Sequence, residues 1–249
     1  MTAKKQHPDF SQYRVISFDT YGTLIDWEAG IHGALSPLLM GFDDPPKRDW
    51  VLEQFAAAEA DIQDFDPGLL YSTVLEAVYE RLAFEWDVEL TEGEGAEFAQ
   101  AIADWPPFDD SVDALAYLRQ HFKLATLTNC DHASYAFTFA ALGEPFELVC
   151  TAEDIGSYKP AQANFDYLLE QVNRSFDCEP GQLLHVAQSL YHDIVPAHDM
   201  GLATVWIDRR TGQSGSGATK PAKGAHTGDW RYESLAEFAE AHRTHSAKG

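Results

Sequence analysis

The chain is expected to fold as an α/β protein, a Rossmann-like parallel sheet with helices on both faces and an inserted helical cap. Three observations point there. Residues 14–18 (RVISF), 123–127 (KLATL), 183–187 (LLHVA) and 203–207 (ATVWI) are short apolar runs, the pattern of strands buried on both faces. Helical periodicities lie between most of them, and strand alternating with helix gives a parallel sheet. A long stretch, 28–105, has helical periodicity and no clear strand.

In chain order, the first run ends in Asp19 and the turn Thr20-Tyr21-Gly22-Thr23-Leu24. Segments 50–62 and 69–84 then read as cap helices, and Trp105-Pro106-Pro107 marks the return to the core. The core is accordingly expected over 1–27 and 106–249, with the cap at 28–105. Core helices are predicted over 112–121, 132–142, 161–172 and 191–200, with Gly143 and Gly201 placed as C-caps. Residues 211–228, rich in Gly, Ser, Ala and Lys, read as a flexible surface loop, and 234–242 as a last helix.

Composition narrows the partners. A formal net charge of -23 disfavours nucleic acid and anionic membranes. No run approaches the ~20 apolar residues of a membrane span. The opening MTAKKQHPDF has no apolar signal core. Three widely spaced cysteines, Cys130, Cys150 and Cys178, lack any CxxC and suit a reducing compartment. The expected setting is cytoplasmic, with a small-molecule substrate.

Chemistry concentrates at four places in order: Asp19 with Thr23, Thr128-Asn129, Lys159-Pro160, and VAQSLYHD ending at Asp193. A carboxylate at the carboxyl end of a buried strand lies where open α/β sheets bind ligands. Asp19 would act as a nucleophile forming an ester that water opens. A cation must keep it ionised in a covered site, and Lys159 is the candidate. Thr128 and Asn129 offer donors near the leaving group or reacting oxygen. Thr23 would hold the Asp19 loop. Asp193 would orient Lys159 or activate the hydrolytic water.

This ordered set resembles the haloacid dehalogenase (HAD) superfamily. Its phosphatases carry a second Asp two residues after the nucleophile, and an acidic fourth motif that helps bind magnesium. Here those places hold Tyr21, and Ala187 with Gln188. Mg²⁺ favours octahedral oxygen ligation with carboxylate help. The closer resemblance is to the type II 2-haloacid dehalogenases. It implies halide displacement by Asp19, no cofactor or metal, and often a homodimer. The family's cap arginine has no match. Arg48 precedes the corresponding helix and Arg81 lies on the next one; Phe165 and Leu190 replace a family tyrosine and asparagine. Tyr21, Ser189, Gln188, Trp27 and His192 are the expected substrate-binding side chains. His185, inside its strand, reads as a satisfied core histidine. Opening of a strained ring such as azetidine-2-carboxylate by the same nucleophile is the alternative. A magnesium-dependent phosphatase and a silent binding protein are weaker readings.

Overall fold

The computed structural model describes residues 7–213, 217–222 and 226–246. The amino-terminal reading at 1–6, and parts of the loop at 214–216 and 223–225, lie outside the described residues. The core strands are β1 (Val15–Phe18), β2 (Lys123–Thr128), β3 (Leu148–Thr151), β4 (Leu183–Ala187), β5 (Ala203–Ile207) and β6 (Trp230–Tyr232). They form one sheet in the order β3-β2-β1-β4-β5-β6, parallel throughout. Every residue of β1 and β4 is buried, as expected of a parallel sheet covered on both faces. The order reverses direction between β1 and β4, which opens a crevice at their carboxyl ends.

The helices are α1 (Trp27–Ala34), α2 (Ser36–Leu39), α3 (Arg48–Phe65), α4 (Tyr71–Glu85), α5 (Glu94–Gln100), α6 (Ser111–Leu118), α7 (His132–Ala141), α8 (Ala152–Ile155), α9 (Gln162–Phe176), α10 (Val195–Asp199) and α11 (Leu235–Ser246). Helices α1 to α5 follow β1 without an intervening strand, and α1, α3 and α4 reach over the crevice. In α4 the buried residues Val74, Leu75, Val78 and Leu82 recur at helical spacing, so one face packs inward. Two polypeptide passes join cap to core. Asp26 N–H donates to Pro106 O (2.8 Å), and Phe108 N–H donates to Leu24 O (3.0 Å). Gly30 is required beside that joint: a Cβ there would stand 2.3 Å from the Trp105 ring. Tyr158 Oη donates to Leu69 O, and Asp131 Oδ2 accepts from Ser72 N–H, so the cap is also tied down at its far end.

Three sequence expectations change. Strands β3 and β6 join the sheet as additions to the four strands expected; they are edge strands of four and three residues, only partly buried. The helix expected over 191–200 begins as a π-helical turn, Leu190–Ile194, before α10. Part of the loop read as a flexible surface segment folds inward, while residues 211–213 and 220–221 stay exposed. Ala218 and Thr219 are buried, with Ala218 N–H donating to Glu28 Oε1 (3.0 Å). Small residues let this loop lie close against the protein, and Glu28 anchors it. No helix among the described residues is long and apolar enough to cross a membrane. The three cysteines are buried and free.

Candidate active site

Asp19 follows β1 directly and is buried, with its N–H bonded to Val186 O (3.1 Å) on β4. The chain then turns back sharply. Leu24 N–H and Ile25 N–H both donate to Thr20 O. Gly22 sits at φ +87°, and a Cβ there would lie 2.9 Å from Trp27 Nε1. Glycine satisfies both the backbone conformation and the space. The turn delivers Thr23 back to its own start. Its hydroxyl donates to Asp19 Oδ2 (2.6 Å) and accepts from Gln188 N–H (2.8 Å).

Lys159 is buried and spends its three ammonium hydrogens inside the site. They go to Asp19 Oδ1 (2.8 Å), Asp193 Oδ1 (2.7 Å) and Leu127 O (2.9 Å). Burial pushes the Lys159 pKa down, but the two carboxylates outweigh it and hold it above its ordinary value. The carboxylates divide. Burial, with repulsion from Asp193, raises Asp19 despite the pull of Lys159. For Asp193 burial also acts upward, but Lys159 and His185 outweigh it and bring the group below its ordinary value.

Asp193 is carried inward by the π-helical turn, whose wider ring is often found at functional sites. Its Oδ1 also meets His185 Nε2 (3.1 Å), and His185 Nδ1 meets Ser17 Oγ (2.9 Å) across the β1–β4 register. An ionised Asp193 only accepts, so His185 Nε2 is the donor. His185 is thus buried with both nitrogens engaged, and it braces Asp193. Asp193 Oδ2 is buried with no hydrogen-bond partner among the described residues.

The remaining sequence candidates separate. Asn129 lines the cavity beside Asp19, yet its amide is bound to the Lys159 backbone: Oδ1 accepts from Lys159 N–H (2.7 Å) and Nδ2 donates to Lys159 O (3.1 Å). Thr128 is buried at the end of β2, and its hydroxyl has no partner among the described residues. Tyr21, Trp27, Ser189 and His192 line the cavity. Gln188 instead lines a neighbouring cavity with Gly22 and Arg48, and Trp27 forms a wall of both. His192 is half-buried and also borders a more open groove beside Tyr191 and Pro160. Its Nδ1 meets Ser189 Oγ (3.1 Å), and burial lowers its pKa to about 4, so the imidazole is neutral near pH 7.

The cavity over Asp19 is small, about 30 Å³. Sequence reasoning missed four of its walls: Glu59 and Gln63 from α3, Tyr71 at the start of α4, and Thr219 from the late loop. Tyr71 Oη donates to Glu59 Oε1 (2.7 Å), and both side chains are buried. Burial raises Glu59 to about 7, against the pull of that hydrogen bond. The signal in the sequence was an acid inside FAAAEAD, on the face of α3 that buries Leu52, Phe55 and Ala56. Neither arginine considered from the sequence reaches this cavity. Arg81 pairs with Asp61 and Glu85, and Arg48 faces the neighbouring one.

The residues present fit magnesium poorly. Asp19 and Asp193 are both ion-paired to one ammonium, and Tyr21 has no carboxylate to add; its hydroxyl meets Thr138 Oγ1 (3.0 Å) and Cys130. Among the described residues, the cluster of His and Asp groups close enough to share an ion is His198, His226 and Asp229, none of which lines this cavity.

Residues 13–201 match the family described as haloacid dehalogenase-like hydrolase. The chain is 26% identical over 204 residues to YfnB of Bacillus subtilis strain 168, whose name places it among HAD-hydrolases; the match spans 79% of this chain and 85% of that one. A crystal structure of YfnB bound to magnesium superposes with a TM-score of 0.70 at 20% identity, covering 92% of this chain and 97% of that one. The L-2-haloacid dehalogenase PA0810 gives 0.74 at 21% identity, over 93% and 99% of the two chains. The L-2-haloacid dehalogenase of Xanthobacter autotrophicus, with chloropropionic acid covalently bound, gives 0.72 at 17% identity, over 93% and 98%. At these identities the structural likeness establishes the fold.

Proposed function

The chain belongs to the haloacid dehalogenase-like hydrolase family, and from that premise we propose that it hydrolyses a short 2-haloalkanoic acid through an ester on Asp19, without a metal. The observation that carries this reading is how Lys159 and Tyr21 are committed. The ammonium supplies the charge that keeps Asp19 ionised, and Tyr21 stands where a phosphatase of this superfamily has its second acid.

The step has two halves. An Asp19 carboxylate oxygen attacks the halogen-bearing carbon from behind, forming a C–O bond as the C–halogen bond breaks and halide leaves with its electron pair. Water then attacks the Asp19 carbonyl carbon, and the hydroxy acid departs while the carboxylate is restored. Lys159 holds the nucleophile, and Thr23 fixes its other oxygen. Asp193 anchors Lys159, and its unpartnered Oδ2 is the acceptor available to the hydrolytic water. The cap excludes bulk water from the ester.

Halide release from chloroacetate, fluoroacetate and both enantiomers of 2-chloropropionate, measured with chelator present, tests the proposal. Release that is lost in Asp19→Asn supports it. Release of phosphate from phosphate esters that requires Mg²⁺, with no halide from any haloacid, contradicts it. Opening of azetidine-2-carboxylate by the same nucleophile is the second reading, and the cap acid Glu59 is the observation that favours it.

A further inference from the structure

Resting on the reading of Asp19 as the nucleophile, we infer that Glu59, with the rings of Tyr71, Tyr21 and Trp27, forms a subsite for a small ammonium group, so the preferred substrate, whether an amino-substituted haloalkanoate or a strained cyclic amino acid, carries a cationic nitrogen on its cap-facing side, and simple haloacids leave this subsite empty. The cap side of the cavity carries an unbalanced negative group. Glu59 is 5% exposed, and Tyr71 is its hydrogen-bond partner among the described residues. No described arginine or lysine pairs with it. Lys159, the one lysine or arginine on the cavity wall among the described residues, has all three hydrogens committed elsewhere. A buried carboxylate without a counter-cation is costly, and a bound ammonium supplies the missing charge.

The surrounding surface suits the same ligand. Tyr21 and Tyr71 rings stand 6.3 Å apart, and Trp27 adds a third aromatic wall. Aromatic faces attract ammonium groups, and they provide no charge to an anion. Gln63 lies one helical turn beyond Glu59 on the same cavity wall and offers an amide oxygen to an N–H. A substrate with its reacting carbon over Asp19 and a nitrogen toward the cap would place that nitrogen at Glu59, on the opposite wall of the same cavity. Cyclic and open-chain amino acids with a displaceable carbon substituent or a strained C–N bond belong to this class. In the strained-ring case the Asp19–carbon bond forms as the ring C–N bond breaks. The nitrogen, already carrying its proton, leaves as an amine held by Glu59.

Titration supports the same site. The groups facing Glu59 are Tyr71 and Tyr158 together with Asp19, Lys159, Asp193 and His192. Both tyrosines are pushed up by burial and stay protonated, and His192 is neutral. Glu59, near 7, changes charge in the neutral range.

The test is calorimetric titration of the protein with azetidinium chloride and methylammonium chloride, with sodium propionate as the anionic control. Wild type and Asp19→Asn are expected to bind both ammonium ions, more tightly as pH rises from 5 to 8. Glu59→Gln is expected to weaken binding by at least about tenfold. Tyr71→Phe, which removes the donor to Glu59, is expected to move the pH midpoint of binding upward. Binding in Asp19→Asn keeps the subsite separate from the nucleophile, so inactivity toward every substrate would overturn the proposed reaction and leave this inference standing. Equal binding by Glu59→Gln, no binding by wild type, or propionate binding that depends on Glu59 overturns it.

Discussion

Asn129 grips the backbone of Lys159 from both sides, accepting from its N–H at 2.7 Å and donating to its carbonyl at 3.1 Å. A side chain expected to donate near the leaving group or the reacting oxygen therefore fixes the residue that carries the site's positive charge. Asn129→Ala is predicted to lower kcat by about tenfold to a hundredfold, as loss of two hydrogen bonds would, with KM little changed. Steady-state kinetics on the purified variant checks the split.

Most of the core was legible in the sequence because its signals are local. VISF before Asp19, KLATLT before Asn129 and LLHVA before Gln188 are short, mostly apolar runs, and each is followed by polar residues at the sheet's carboxyl edge. Lys159 carried no local signal; its place became readable only through the order of the four segments. The cap was legible as helix and illegible as a site. Which face of α3 points at Asp19 depends on how the cap docks, and the docking contacts from Asp131 to Ser72 and from Tyr158 to Leu69 join residues 59 and 89 positions apart. Thr219 was hidden for a different reason. Its segment has the composition of a linker, and its anchor, Glu28, lies 190 positions from Ala218.

Activity should have an acid limb above the ordinary aspartate value. Burial and Asp193 raise Asp19, and in the proposed reaction only its ionised form attacks carbon. As pH falls through that raised value the nucleophile is protonated and kcat/KM declines. A pH–rate profile in which activity persists unchanged to below pH 4 would contradict this.

Glu59 should cost stability as pH rises from the acid range to neutral. Its carboxyl is raised from 4.5 to about 7, so between those values the native state holds a proton that the unfolded chain has lost. Stability from this group therefore falls as pH rises from about 4.5 to about 7, by on the order of 3 kcal/mol in all. Glu59→Gln removes that slope and is predicted to unfold at higher denaturant than wild type at pH 8, with a smaller difference at pH 5. Urea unfolding at the two values measures it.

Gly22→Ala should damage both fold and activity. The position lies at φ +87°, with Trp27 Nε1 2.9 Å from where the methyl would sit. The strain is expected to cost about 1–3 kcal/mol and to shift the Thr23 hydroxyl off Asp19. Thermal unfolding reads the first effect, and kcat reads the second.

The central claim, a covalent ester on Asp19 formed without metal, is tested most directly by isotope. A single turnover of a 2-haloalkanoate, with enzyme in excess, is run in H₂¹⁸O with chelator. Hydrolysis of the ester at the Asp19 carbonyl carbon puts the label into the protein, and peptide mass spectrometry should find ¹⁸O in the Asp19 carboxylate while the hydroxy acid carries ¹⁶O. Label in the new hydroxyl of the product with none in the protein, or turnover that stops on chelation and returns with Mg²⁺, would contradict the account.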